Sequence, residues 1–273
     1  MQTLSLLYVA TAAFFVFGAA AAAKEPGETP TPASMTYTID VPYADTDNPR
    51  QALDLLIPKD SGNEPLPVIV YIHGGAWNHG EKKWPLYRMV EYVATGDYAA
   101  VMVGYRLSGE AQWPAQIHDC KAAIRWVRAN AKRLGLDADR IGVMGDSAGG
   151  HLVAMLGTSG DVSDMDGELG SDTDVSSRVS CVVDYYGPAD FLHLYKTAPA
   201  GTGTDQNAFY PTVASLLGAP IRDAPEKAAS ASPVSYVTAG DPPFLILHGT
   251  ADSVVPFSQS EVLHTALRNA DAP

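Results

Sequence analysis

Residues 145–149 read Gly-Asp-Ser-Ala-Gly, and they leave no room for a loop between the apolar run before them and the Ala/Gly/Leu-rich run after them. The first run, 140–144, has the character of a strand, and the second, 147–156, that of a helix. A strand that turns into a helix so abruptly needs positions without a Cβ where backbone passes backbone, and Gly145 and Gly149 supply them. Ser147 is then pushed to the tip of the turn, its hydroxyl projecting beyond the strand end. A junction of this kind belongs to a βα unit. It commits the chain to helices layered on a largely parallel sheet.

The rest of the chain repeats the rhythm. Residues 37–41 and 52–57 alternate apolar and polar side chains, as antiparallel strands do. Residues 67–73 form a nearly continuous apolar run, expected of a strand buried on both faces, and 98–105 repeats that character. Between 114 and 134, Ile117, Cys120, Ile124, Val127, Ala131 and Leu134 recur at spacings of three and four and define a sheet-packing helix face. Pro114 suits its first turn and Gly135 its end. Further strands are expected at 179–185 and 244–248, with a final helix at 258–270. Two stretches interrupt the alternation. Residues 157–178 are acidic and read as a solvated loop, because the spacing of Asp164, Asp166 and their neighbours fails the EF-hand pattern. Residues 191–225 are long enough to cover or shape a site.

A net charge of −13 in 273 residues excludes nucleic acid as a natural partner, since phosphates would be repelled. The first 23 residues carry no charged side chain, and small residues from Ala19 to Ala23 suit a leader cleaved before Lys24. An uncleaved anchor is the alternative. Residues 24–35 then read as a Pro/Thr-rich linker, and 36–273 as one catalytic domain. Secretion or export to a periplasm follows from that reading. Only Cys120 and Cys181 are present, and both are expected as buried small hydrophobes rather than a bridge. No metal cluster or cofactor is called for.

The chemistry gathers around Ser147. Nucleophilic attack by a hydroxyl requires a base, a group that orients the base, and N–H donors aimed at the developing oxyanion. The sequence His73-Gly-Gly-Ala-Trp77 follows a buried strand, and its glycines allow close backbone approach. Gly74, Gly75 and Ala76, with Ala148 after the nucleophile, are the candidate oxyanion donors. Asp252 follows a strand and precedes the last helix, the right order for the orienting acid. Trp77 and Tyr186, near strand ends, are candidate walls for the acyl or alcohol group, with core packing as the competing role. Arg106 and Asp119 are expected to pair and brace the loops.

These segments, with 104–108 (Gly-Tyr-Arg-Leu-Ser), 186–190 (Tyr-Gly-Pro-Ala-Asp), and 248–252 (His-Gly-Thr-Ala-Asp) followed by Val255 and Pro256, resemble the α/β-hydrolase superfamily. Within it they are similar to the esterase/lipase group related to hormone-sensitive lipase and to bacterial feruloyl and acetyl-xylan esterases. The resemblance spans about residues 36–273. It implies an α/β-hydrolase fold and a serine carboxylesterase that hydrolyses short-chain or aromatic esters, on small molecules or on polysaccharide, through an acyl-enzyme without cofactor. It also implies a base on a turn after one further strand. His264, on a helix face, does not fit that role, so the expectation is a chain that lacks the last strand, the last helix and the catalytic histidine, and that turns over poorly. A prolyl-oligopeptidase-like peptidase and a non-catalytic binding protein on the same scaffold are the alternatives.

Overall fold

Two antiparallel strands, β1 (Met35–Pro42) and β2 (Ala52–Pro58), lead into a parallel series: β3 (Leu66–Ile72), β4 (Ala99–Val103), β5 (Leu136–Asp146), β6 (Cys181–Tyr185) and β7 (Phe244–Leu247). In this computed structural model residues 32–60, 62, 64–197 and 209–273 are described, those at 209 and 210 by backbone only. The expected leader and the linker up to residue 31 lie outside the described residues, as does 198–208 within the long insertion. The linker was expected to reach residue 35, but Met35 already pairs with Pro58 at the start of β1.

The sheet runs β1-β2-β4-β3-β5-β6-β7. β2 pairs antiparallel with β4, while β4, β3, β5, β6 and β7 are mutually parallel. Parallel neighbours require crossovers. Helices α1 (Leu86–Val93), α2 (Ala115–Leu134) and α3 (Ala148–Thr158) provide the first three. The long connection from β6 to β7 carries α4 (Phe191–Thr197), α5 (Phe209–Leu217) and α6 (Pro225–Ser230), and α7 (Ser258–Asn269) follows β7.

The expected apolar face of α2 is buried, with Ile117, Cys120, Ile124 and Val127 fully covered. They join Val70, Ile72, Val101, Val143 and Leu152 in the main core on one side of the sheet. On the other side Tyr71, Met102 and Met144 pack against Leu86, Met89 and Val93 of α1. Alternate residues of a strand face opposite sides, so β3 feeds both cores and reads as a continuous apolar run. Helix α2 ends where Gly135 turns left-handed at φ 71° and returns its N–H to Ala131 O. Pro114 stands immediately before α2 rather than inside its first turn.

Two expectations about local environment are corrected. Cys181 is exposed, because it opens β6 at the sheet's N-terminal edge; Cys120 is buried, and both thiols are free. The acidic segment is also more tightly held than a solvated loop. Lys121, buried in α2, donates to Ser159 O at 2.5 Å and to Asp166 Oδ1 at 2.8 Å. Arg125 reaches the carbonyls of Asp166 and Leu169. Among the described residues no helix is long and apolar enough to cross a membrane.

Candidate active site

Ser147 stands at φ 53°, ψ −117°, a backbone region that a side chain rarely enters. Neighbouring elements hold it there. Its N–H donates to Tyr185 O at the end of β6, and its carbonyl accepts the N–H of His151 one turn into α3. A Cβ on Gly145 would lie 2.6 Å from the Gly149 backbone, and one on Gly149 would collide with Ile72 O. A Cβ on Gly150 would strike Asp184 and Gly187. The glycines flanking the serine are thus required by contact with β3 and with the loop after β6.

The turn at the end of β3 lies against this elbow. A Cβ on Gly74 would meet the carboxylate and carbonyl of Asp146. Gly75 takes φ 112°, and Ala76 and Trp77 follow at 49° and 57°. Gly75 O accepts the N–H groups of both Asn78 and His79, which closes the turn. Among the described residues, none accepts a hydrogen bond from the backbone N–H of Gly75, Ala76 or Ala148. Three successive non-β conformations expose backbone donors where an ordinary turn would fold them inward.

The segment at 104–108 braces the turn. Tyr105 donates its hydroxyl to His73 O at 2.9 Å and stacks on the His73 ring at 4.4 Å. Ser108 N–H donates to Trp77 O at 2.7 Å. The expected pair is present: buried Asp119 accepts the N–H, Nε and Nη2 of Arg106, and Gln51 adds a fourth donor. Four donors satisfy the carboxylate and make its burial tolerable.

Trp77 does not line an accessible pocket. Its side chain is 0% exposed, donates from Nε1 to His151 Nδ1 at 3.1 Å, and meets Phe191 edge-on. The left-handed backbone turns the indole under the sheet edge and into the core. This places Trp77 beneath the turn as a support, against its expectation as a substrate wall. Tyr186 is different: half-buried at φ 48°, it anchors through its N–H to Leu247 O. Burial raises its hydroxyl pKa, and the charges of Asp146 and Asp252 add to the effect. The Tyr186 ring meets that of His248 edge-on at 6.2 Å.

Asp252 is largely covered. Its Oδ1 accepts the N–H of Val254 at 2.8 Å and of Val255 at 2.9 Å, while Oδ2 stands 3.6 Å from His248 Nε2. Oδ1 is thus committed to its own turn, and Oδ2 is the oxygen beside the His248 ring. His248 has both ring nitrogens engaged, with Ser260 Oγ and Val255 O. His151 is likewise engaged, by Trp77 and by Ala231 O. His73 lies beneath the turn with Nδ1 at 2.7 Å from Gly74 O. Burial holds the pKa of both His73 and His151 down to about 4, so both are neutral packing groups at neutral pH. His264 is exposed on α7.

Sequence reasoning missed Asp184. It is buried at the end of β6, opposite Gly145 in register, and accepts the Gly187 N–H at 2.8 Å. Its second oxygen has no partner among the described residues, and burial lifts its pKa to about 7. The only signal in the sequence was an acid inside an apolar strand.

A seven-stranded, mostly parallel sheet with helices on both faces and a strained serine at the β5–α3 elbow defines the α/β-hydrolase fold. The chain belongs to the BD-FAE family, whose model matches residues 53–267. Esterase LipC of Mycobacterium tuberculosis is 35% identical over 222 residues, 81% of this chain and 53% of that protein. Among solved structures, a truncated carbohydrate esterase from gut microbiota is 34% identical with a TM-score of 0.76, covering 87% of this chain and 85% of the other. A bifunctional GH43-CE protein of Bacteroides eggerthii is also 34% identical, with a TM-score of 0.78 over 86% of this chain and 31% of its own. The chain spans about half the length of the curated relatives it matches.

Proposed function

We propose that the protein is a serine carboxylesterase acting through an acyl-enzyme. The observation that carries this reading is the backbone of Ser147, held at φ 53° by glycine contacts on both sides. A strained, partly accessible serine next to a turn of outward N–H groups has a chemical use in acyl transfer and none in packing. In this reading Ser147 Oγ attacks the ester carbonyl, the N–H groups of Gly75, Ala76 and Ala148 receive the oxyanion, and Gly74 permits the turn to approach Asp146. Asp252 orients the imidazole base through Oδ2; the base takes the Ser147 proton and gives it to the departing alcohol, and water deprotonated by the same base then releases the acid and restores Ser147. His151 and His248 are already engaged elsewhere, so the base is a separate imidazole.

The likeness to a carbohydrate esterase supports carbohydrate esters as the substrate class, and we propose acetyl or aromatic acyl groups on them. Half-buried Tyr186, after β6, would contact them. Export of the protein, directed by residues 1–23, fits such a substrate. A fluorophosphonate probe tests the chemistry: in a protein that carries the base histidine, labelling of Ser147 that disappears in Ser147→Ala is expected, and no label on that protein would sink the reading. Hydrolysis of p-nitrophenyl acetate but not of a chromogenic dipeptide amide separates an esterase from a peptidase.

A further inference from the structure

The turn at 74–76 is held from β4's side by Tyr105 and Ser108, but its far end rests on a residue from a different part of the chain. Gly80, at φ 115°, packs so closely that a Cβ there would strike His73 Nδ1 and Gly74 O. A Cβ on Gly75 would in turn strike His79 O. Residues 79–80 therefore form the wall against which the turn is pressed, and any outward drift of that wall releases Gly75. Arg50 Nη1 donates to the Gly80 carbonyl at 3.1 Å.

Arg50 lies between β1 and β2, thirty residues before Gly80 in the chain. Its Nη2 stands 3.7 Å from Glu81 and its Nε 3.6 Å from Glu110. Its own N–H donates to Asn48 Oδ1, and Asn48 Nδ2 donates to Glu110 at 2.5 Å. The guanidinium thus joins three segments: the β1–β2 connection, the wall at 79–81, and the loop after β4. Its planar fork suits this junction, because several fixed donors can serve several partners at once. The side chain is 31% exposed, so the two ion pairs are worth little by themselves. The hydrogen bond to Gly80 is the contact with a consequence for the site.

We infer that Arg50 is a positioning residue for the oxyanion turn, acting through the Gly80 carbonyl to hold Gly75 and Ala76 in place. The inference rests on the esterase reading for its catalytic meaning, but its structural content can be measured without turnover. In Arg50→Ala, amide hydrogen exchange across residues 73–80 should accelerate about tenfold or more, with exchange across α3 unchanged. Glu81→Gln with Glu110→Gln drops both ion pairs and leaves the Arg50 donor on Gly80 O, so its exchange should lie near wild type. If Arg50→Ala does not fold, Arg50→Lys, which keeps an N–H donor of nearly the same reach, against Arg50→Met, which keeps none, makes the same comparison. Unaltered exchange at 73–80, or acceleration spread equally over α3, would overturn the inference.

In turnover, displaced donors stabilise the transition state less while ground-state binding persists. Arg50→Ala should therefore lower kcat about tenfold and leave KM within about twofold, with recovery in Arg50→Lys. A rise in KM at constant kcat would also overturn it. Absence of fluorophosphonate labelling in a protein that carries the base histidine would fail the esterase reading alone and leave the exchange comparison to decide the role of Arg50.

Discussion

Ser147 keeps its left-handed backbone because Gly149 lets α3 start directly against Ile72 O. Gly149→Ala should lower stability by about 2 kcal/mol or more and abolish probe labelling, checked by thermal melting and a fluorophosphonate gel. Buried titratable groups around the elbow also set a pH dependence. His73 and His151 sit near 4 against an ordinary 6.5, so each adds stability above 6.5 that is lost as pH falls toward 4. Asp184 works in the other direction. Its carboxyl sits at about 7 against 3.8, so its contribution is intact below about 4 and lost as pH rises to 7, on the order of 4 kcal/mol in full. Across about pH 5 to 6, two histidines favour higher pH and one carboxyl opposes them. Asp184→Asn, which keeps the acceptor for Gly187, should roughly double the rise in unfolding free energy with pH, read from urea titrations. An unchanged slope would show that Asp184 is ionised throughout.

At the scale of elements, the strands were legible because their apolar runs were long and their turns were marked. Strand β5 is longer than its apolar run, since residues 136–139 (Leu-Asp-Ala-Asp) extend it toward Gly135 with alternating apolar and acidic side chains. Only helix α3's start was fixed by motif; its end reached Thr158, inside what read as loop. The acidic segment illustrates why loops resist such reading: its acids announce solvent, but Lys121 and Arg125 approach from a helix some forty residues earlier. Burial lowers the Lys121 pKa, with Asp166 opposing the shift. Lys121→Ala should cost about 2 kcal/mol, because Ser159 O loses a buried donor, and should speed exchange in 159–178 first. Strand β7 is the sheet's edge among the described residues, with Leu245 54% exposed and Leu247 38% exposed. An apolar edge is a template for pairing. Leu245→Lys should reduce concentration-dependent self-association in sedimentation velocity without lowering the melting temperature.

At the scale of the molecule, the chain carries a formal net charge of −13, and Asp146 stands next to the candidate nucleophile. Within the esterase reading, an anionic ester should have a lower kcat/KM than a neutral one of equal size, and added salt should narrow the gap as screening grows. A gap independent of ionic strength would place the discrimination in shape instead. What the sequence by itself determined is the sheet-and-helix order, the elbow at Ser147 and the glycine turn before it, because short-range sterics and apolar periodicity dictate them. Only the tertiary structure decided which side chains face the site. Trp77 went into the core, Cys181 to the surface, Asp184 under the elbow, and Arg50 onto the wall of the turn. Each of those outcomes depends on what another segment places opposite the residue, and local spacing carries no record of that.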